Sequence, residues 1–361
     1  MDFFKKTYRI LLLVVHLAAG CMLLVAAYSG LIPPDKWRLP LFFALAFPVF
    51  FYIESLLLLM HLFLRPRKMI WLPVLFLLLA YPACRNYFPL HGKRSDNGKP
   101  TLTILTYNVY LFRQAQNIDK DNSILRLLQE CDADIVCLQE YGSFNDNQQS
   151  QIDHILSQYP YKHIVRAGKS SSGQACYSKY PIAESEPIQF RDTRNSAVRY
   201  TIDVEGKPLS LINCHLESNR LEKADKELYV QMATHPGQTN DLLPQAKEKL
   251  LRKIARATVA RAEQARTIRR IVDSLPGAVV VCGDFNDTPQ SYTYHKIRGK
   301  MHDAYISTGF GPGITYNAYG LWFRIDHILC NDSLRAVDSR IIHKKYSDHY
   351  PVMATLQWNA D

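Results

Sequence analysis

Three features of the 361-residue sequence predict an α/β fold with mixed sheets, preceded by three transmembrane helices. Residues 1–90 hold three long apolar stretches, whereas from Thr101 onward short β-branched or apolar runs alternate with helical patterns. Between two of those runs, Asp203-Val204-Glu205-Gly206-Lys207 has the chemistry of a hairpin turn, so some neighbouring strands must be antiparallel. The chain therefore divides into a membrane anchor (1–90), a polar linker (91–100) and one large domain (101–361) whose length suits a sizeable α/β core.

Residues 10–31 are interrupted only by His16 and small polar residues. At about 1.5 Å per residue they cross a hydrocarbon layer of roughly 30 Å. Residues 39–64 form a second span, and 69–83 a third that must extend toward Tyr87 and Phe88 to be long enough. Two apolar segments behind the first favour an anchor over a cleaved signal peptide. Lys5, Lys6 and Arg9 precede the first span, and Arg65, Arg67 and Lys68 separate the second from the third, so the positive-inside rule places these ends in the cytoplasm. Three crossings then put the C-terminal domain on the periplasmic side of a bacterial-type inner membrane. Glu54, His16 and His61 lie inside apolar stretches, where an ionisable group raises a functional question and a helix–helix contact is the plainer reading.

In the domain, residues 101–109, 134–138, 208–216, 278–282, 324–330 and 351–358 read as strands, and 123–131 and 151–158 as helices. Most strands are apolar on both faces, as expected where each sheet is covered by another layer. At about 220–275 a largely helical insertion places Leu250, Ile254, Ala257, Ala265, Ile268 and Val272 at near-helical spacing. Its other face is basic: residues 247–270 hold nine Lys+Arg against Glu248 and Glu263, which fits a solvated helix face, a phosphate backbone or an anionic lipid surface.

The formal net charge of +10 does not by itself indicate nucleic acid. Of 43 Lys+Arg and 33 Asp+Glu, the first 100 residues hold 12 and 4, which leaves 31 against 29 and a nearly neutral domain. The eight cysteines sit singly in apolar runs, without the paired spacing of a zinc site, and read as buried thiols.

Several apolar runs end in residues that metal and phosphate chemistry requires, and strand ends are where open α/β sheets place ligands. They are Thr106-Tyr107-Asn108-Val109, Cys137-Leu138-Gln139-Glu140, Asn213-Cys214-His215-Leu216 and Cys282-Gly283-Asp284-Phe285-Asn286. Arg324-Ile325-Asp326-His327-Ile328 and Ser347-Asp348-His349-Tyr350-Pro351 follow. Each group alone is common, but in this order they resemble the motif series of the endonuclease/exonuclease/phosphatase family. That family includes deoxyribonucleases, abasic-site endonucleases, neutral sphingomyelinases and inositol polyphosphate phosphatases. Gly173-Gln174-Ala175 through Pro181-Ile182 fits its connecting strand.

The resemblance implies a four-layer sandwich of two mixed β-sheets flanked by helices, with the site at one end. It also implies metal-assisted phosphoester hydrolysis with Mg²⁺, or Mn²⁺ in its place, held first by Glu140, with Asn108 and Asp348. By the same resemblance Asp284 orients or deprotonates the attacking water, and Asn286 donates to the phosphate. His349 acts as general acid/base or stabilising donor with Asp326 fixing its tautomer, and His215 is a second phosphate-facing imidazole. Arg199, ahead of the His215 strand, is either a phosphate ligand or part of an ordinary surface ion pair, whereas His327 points to the opposite face of its strand from Asp326.

The family's chemistry does not choose the substrate. A membrane-anchored nuclease or phosphodiesterase acting on nucleic acid or a phospholipid head group is the leading expectation. A lipid-directed enzyme of sphingomyelinase or inositol-phosphatase type is the first alternative, and a catalytically inactive membrane-bound binding protein the second. No obligate protein partner is implied.

Overall fold

Apolar composition and helix length agree at the N-terminus. In the computed structural model, which describes every residue except 1, 64–66, 97, 113–121, 143–144, 167–171, 192, 194, 235–242 and 360–361, helix α1 spans Asp2–Tyr28 and α2 Leu39–Phe63. Both are long and apolar enough to cross a membrane. The third expected span corresponds to a bent pair, α3 (Trp71–Leu79) and α4 (Tyr81–Tyr87), apolar and long enough together, with 68° between Lys68–Leu79 and Tyr81–Tyr87. Pro82 explains the break, since it lies at the start of α4 and lacks the N–H that would continue the helical ladder. Arg65, one of the residues behind the expected sidedness, lies outside the described residues.

The domain begins with β1 (Thr101–Asn108), α5 (Ser123–Cys131), β2 (Ile135–Gly142), α6 (Asp146–Ile155), β3 (Tyr161–Arg166) and β4 (Ser172–Ser178). It continues through β5 (Ile182–Gln189), β6 (Ser196–Val204), β7 (Lys207–His215), α7 (Lys223–Thr234), α8 (Leu243–Ser274) and β8 (Ala278–Asp284). Helix α9 (Tyr292–Arg298), β9 (His302–Asp303), α10 (Ala304–Thr308), β10 (Tyr316–Ala318), β11 (Leu321–Phe323), β12 (Asp326–Cys330), β13 (Leu334–Ile341) and β14 (Val352–Trp358) complete it. One six-stranded sheet runs β13-β14-β1-β2-β4-β3, the other β5-β6-β7-β8-β12-β9, and β10 and β11 form a separate hairpin. Both sheets are mixed: β1–β2 and β7–β8 are parallel pairs among antiparallel neighbours.

Side chains from the two sheets interlock between them, with Ile104 and Cys137 of one meeting Tyr200, Leu211, Val280 and Ile328 of the other. Outside the first sheet, α5 and α6 bury Leu125, Leu128 and Ile152 against Leu105 and Val136. Outside the second, α8 and α9 bury Ala265, Ile268 and Tyr294 against Ile212 and Val281. Four layers result, and each fully buried Leu, Ile or Val contributes about 1.5–3 kcal/mol of transfer free energy. The expected hairpin joins β6 and β7, with Glu205 and Gly206 at φ 54° and 83° and the Asp203 side chain accepting from the Gly206 N–H at 2.7 Å.

Helix α6 starts five residues before the expected 151 because Asn145 and Gln148 form a capping box. Its first turns are polar, so apolar spacing does not reveal them. The basic helix α8 is held by acids from several segments. Lys253 pairs with Asp225, Arg266 with Asp35, and Arg261 is buried against Asp287.

Candidate active site

The two sheets deliver polar residues to the same end of the sandwich. Asn108 is the last residue of β1. Glu140 sits on β2 where the ladder with β4 slips register between Gln139 and Tyr141, and its φ of 48° lies in the left-handed region. Such a bulge re-aims a side chain out of the ladder, here into the cleft. His215 ends β7 opposite Asp284 at the end of β8, and Asp326 opens β12 opposite Asp284 from the other side. Gly283 lets β8 come this close: its φ is +124°, and a Cβ there would fall 2.0 Å from the Cys214 carbonyl oxygen. His349 lies in the turn before β14, bridged to Tyr316.

These residues form one connected cluster. The Asn108 amide donates to Asp284 at 3.0 Å and to Glu140 at 3.2 Å. His349 Nδ1 meets Asp326 Oδ2 at 2.8 Å, and its Nε2 lies 3.8 Å from Asp284 Oδ2. His215 Nε2 stands 3.7 Å from Glu140 and 3.9 Å from Asp284. The Asn286 backbone N–H donates to Asp284 Oδ1 at 2.8 Å, while its side-chain amide donates to Asp284 Oδ2 and to the Leu216 carbonyl. Ser347 donates to the Asn108 carbonyl and to Asp348, tying the His349 turn to the end of β1.

Burial and neighbouring charge set the proton affinities. Burial raises the Glu140 carboxyl above its ordinary value, against the hydrogen bond from Asn108. Burial likewise raises Asp284, against the pull of His349. For His349 burial acts downward, but Asp326 and Asp284 outweigh it and hold the ring at about 10. Burial lowers His215, which favours the neutral ring. Burial and the neighbouring acids thus push the two imidazoles in opposite directions, the pattern by which a site separates its acid from its base.

Two groups of donors at this end of the sandwich could hold a divalent cation: the Asp284–Asp326–His349 cluster, and Glu140 with Asp348 in the cleft. Ligand atoms of Asp284, Asp326 and His349 lie within 4.8 Å of one another, and buried His215 Nε2 and Asp326 Oδ1 have no hydrogen-bond partner among the described residues. Oxygen donors dominate, which suits a hard ion. Asp326 and His349 already bond each other, whereas Glu140 and Asp348 face the cleft.

The structure brings together Asn108, Glu140, His215, Asp284, Asn286, Asp326, Asp348 and His349. It does not bring Arg199, which pairs with Glu186 across β5–β6 at 2.7 Å, level with Ile212 and three positions along the strand from the His215 register. Asn286 has its amide engaged by Leu216 and Asp284, so it orients Asp284 directly. The Asn108 oxygen accepts from the Tyr110 N–H, so its nitrogen faces the carboxylates. His327 points away, as its place on the strand predicts, and packs between Phe285 and Tyr294.

Sequence reasoning missed Tyr316, whose ring lies 5.1 Å from His349, and Lys226, which donates to the Tyr316 hydroxyl at 2.9 Å. It also missed Arg261, which lines the cleft while bonding Asp287, Asn219 and the Glu217 carbonyl. The sequence signal for Arg261 was the basic run 247–270; Lys226 lies outside that run in a charge-balanced stretch and carried none.

Comparison with known proteins places this geometry. Residues 105–349 match the model of the Endonuclease/Exonuclease/phosphatase family, and residues 9–87 match a domain of unknown function. The inositol phosphosphingolipids phospholipase C of Schizosaccharomyces pombe is 25% identical over 227 residues, 58% of this chain and 47% of that protein, so the match spans about half of that relative's length. Among solved structures, humanized D. rerio TDP2 superposes with a TM-score of 0.52 at 16% identity over 71% of this chain and 99% of that one. The human Nocturnin catalytic domain with bound sulfate gives 0.51 at 14% identity over 72% and 96%. Both share the fold. The chain belongs to the endonuclease/exonuclease/phosphatase family of phosphoesterases.

Proposed function

We propose that the chain is a membrane-anchored, Mg²⁺-dependent phosphodiesterase. The observation that carries this reading is the unbroken contact path Asp326–His349–Asp284–Asn108–Glu140 at the mouth of one cleft. Glu140, with Asp348, would hold the cation, which when bound would neutralise the nonbridging oxygens of the phosphate. Asp284, raised by burial, is suited to accept a proton from water, and Asn108 and Asn286 hold its carboxylate in place. Water oxygen bonds to phosphorus, its proton goes to Asp284, the bond to the leaving oxygen breaks, and His349 gives that oxygen a proton. Asp326 is a positioning residue that fixes the His349 tautomer.

The anchor reading rests on α1, α2 and the bent pair. Asp35, between α1 and α2, pairs with Arg266, and Asn86 at the end of α4 bonds Arg298 and Arg324, so these ends face the domain. The basic residues Lys6, Arg9 and Lys68 belong to the opposite ends of the spans. With those ends cytoplasmic, the domain stands on the outer side of the membrane.

A nuclease reading draws on the groove lined by Arg191, Arg220, Lys249 and Arg256 beside the cleft. A salt titration tests it, because polyanion binding falls steeply as counterions compete. The main reading is tested with the full chain in detergent and a chromogenic phosphodiester, with and without chelator. Hydrolysis should require the metal and be lost in Glu140→Ala and His349→Ala; equal rates in wild type and both variants would overturn the assignment.

A further inference from the structure

A residue of α2, a helix long and apolar enough to cross a membrane, lines the catalytic cleft. The cleft holds about 210 Å³, and alongside Glu140, Asp284 and His349 it is lined by Leu45, Leu221, Tyr229 and Ile254. Leu45 belongs to the first two turns of α2, within the apolar stretch Leu39–His61. Its neighbours Leu41 and Phe42 pack with Leu228, Leu250 and Ile254 of α7 and α8 in one apolar cluster. Helices α7 and α8 thus bridge the catalytic end of the sandwich and the end of α2.

Polar ties fix this placement. Arg324 donates to the Asn86 carbonyl at 3.0 Å, Arg298 to the Asn86 side chain at 3.1 Å, and Gln290 to the Ala83 carbonyl at 3.2 Å. Exposed aromatic side chains stand at the same end of the apolar helices. Trp322 of the β10–β11 hairpin, 65% exposed, lines a small cavity with Pro48 and Tyr87 of the spans, and exposed Phe310 packs on Phe88 just beyond α4. Aromatic side chains concentrate at membrane–water interfaces. On the other side of Ser218–Arg220 the surface turns basic, with Arg191, Lys249 and Arg256.

A phosphate at Glu140 therefore has an apolar wall continuous with a span on one side and cationic residues on the other. That is the polarity of an amphiphile. We infer that the substrate is a membrane lipid phosphodiester, drawn from the bilayer with its apolar part along α2 between Leu45 and Leu221, its phosphate at the carboxylate–imidazole cluster and its polar head toward the basic groove. This deepens the phosphodiesterase reading above and rests on it; the bond broken and the proton movements are those already given.

The test uses the full chain reconstituted into phosphatidylcholine vesicles containing phosphatidylinositol and sphingomyelin, assayed beside a water-soluble chromogenic diester and plasmid DNA. Wild type should release head groups from vesicle lipid. Leu45→Trp should lower the ratio of lipid to soluble-diester turnover by roughly tenfold, the equivalent of about two methylenes kept out of the apolar arm. Leu221→Trp, at the second apolar lining residue, should do the same, which guards against a folding defect at either site. Cleavage of DNA and soluble diester with vesicle lipid untouched would overturn the lipid assignment and leave the phosphodiesterase reading standing. So would equal loss on all substrates in both variants. Failure of wild type on every substrate would instead remove the phosphodiesterase reading, and this inference with it.

Discussion

Replacing Asp326 with Asn tests the acid assigned to the site. The carboxylate lies 2.8 Å from His349 Nδ1 and the second carboxylate, Asp284, 3.8 Å from Nε2; both acids and the ring are buried. Together they lift His349 from the ordinary 6.5 to about 10 although burial acts in the other direction. That rise corresponds to about 5 kcal/mol of preference for the charged ring. At an effective dielectric of about 20 the shorter contact supplies somewhat more than half of the attraction, so Asp326→Asn should bring His349 to about 8 or below. Loss of a charge-assisted hydrogen bond of about 2–3 kcal/mol also predicts a fall in kcat of roughly thirtyfold or more. The linked stability has the matching sign: protonated His349 stabilises the fold fully below pH 6.5, and that contribution is lost as pH rises toward 10. The assay is a pH–rate profile on a soluble diester. Wild type should keep its alkaline limb near pH 10, and the variant should lose activity about two pH units earlier, with a thermal melt at pH 6 confirming that it folds. A variant profile with its alkaline limb unmoved would refute the role of His349 as a proton donor tuned by Asp326.

Three further outcomes follow from the same geometry. Gly283→Ala forces a Cβ against the Cys214 carbonyl at a left-handed backbone position, and should lower Tm by roughly 6–12 °C for a loss of about 3 kcal/mol, read by calorimetry. Arg261→Met leaves Asp287 buried without its partner and should destabilise by about 3–5 kcal/mol in denaturant titration, with Asp287→Asn in the same chain restoring part of the loss. Saturating Mg²⁺ should raise the unfolding temperature of wild type and of Lys226→Ala but not of Glu140→Gln, as expected for an ion that stabilises by about 2.7 kcal/mol at a hundredfold excess over Kd.

Much of the architecture is visible in residue order because its causes are local. The β-branched run Ala278–Asp284 is buried at every position, and such a strand can only lie between layers. Glu205-Gly206 carries the positive φ angles that a two-residue hairpin requires. Other elements are hidden because local preference does not decide them. The short β9, β10 and β11 exist through their partners, and the bend between α3 and α4 depends on a proline whose effect a hydropathy window does not register.

The sequence by itself determined the chemical inventory: a carboxylate, an amide or an imidazole at the end of successive strands, in an order that resembles one family, behind apolar segments long enough to cross a membrane. Only the tertiary structure decided which of these touch. Asn108 and Asp284 are 176 positions apart and bond at 3.0 Å because β1 and β8 belong to different sheets that end at the same level. Arg199 pairs with Glu186 because the antiparallel register of β5 and β6 sets them opposite each other, a pairing that residue order does not encode. Leu45 reaches the cleft because α2 packs on α7 and α8, a contact between surfaces that no local pattern specifies.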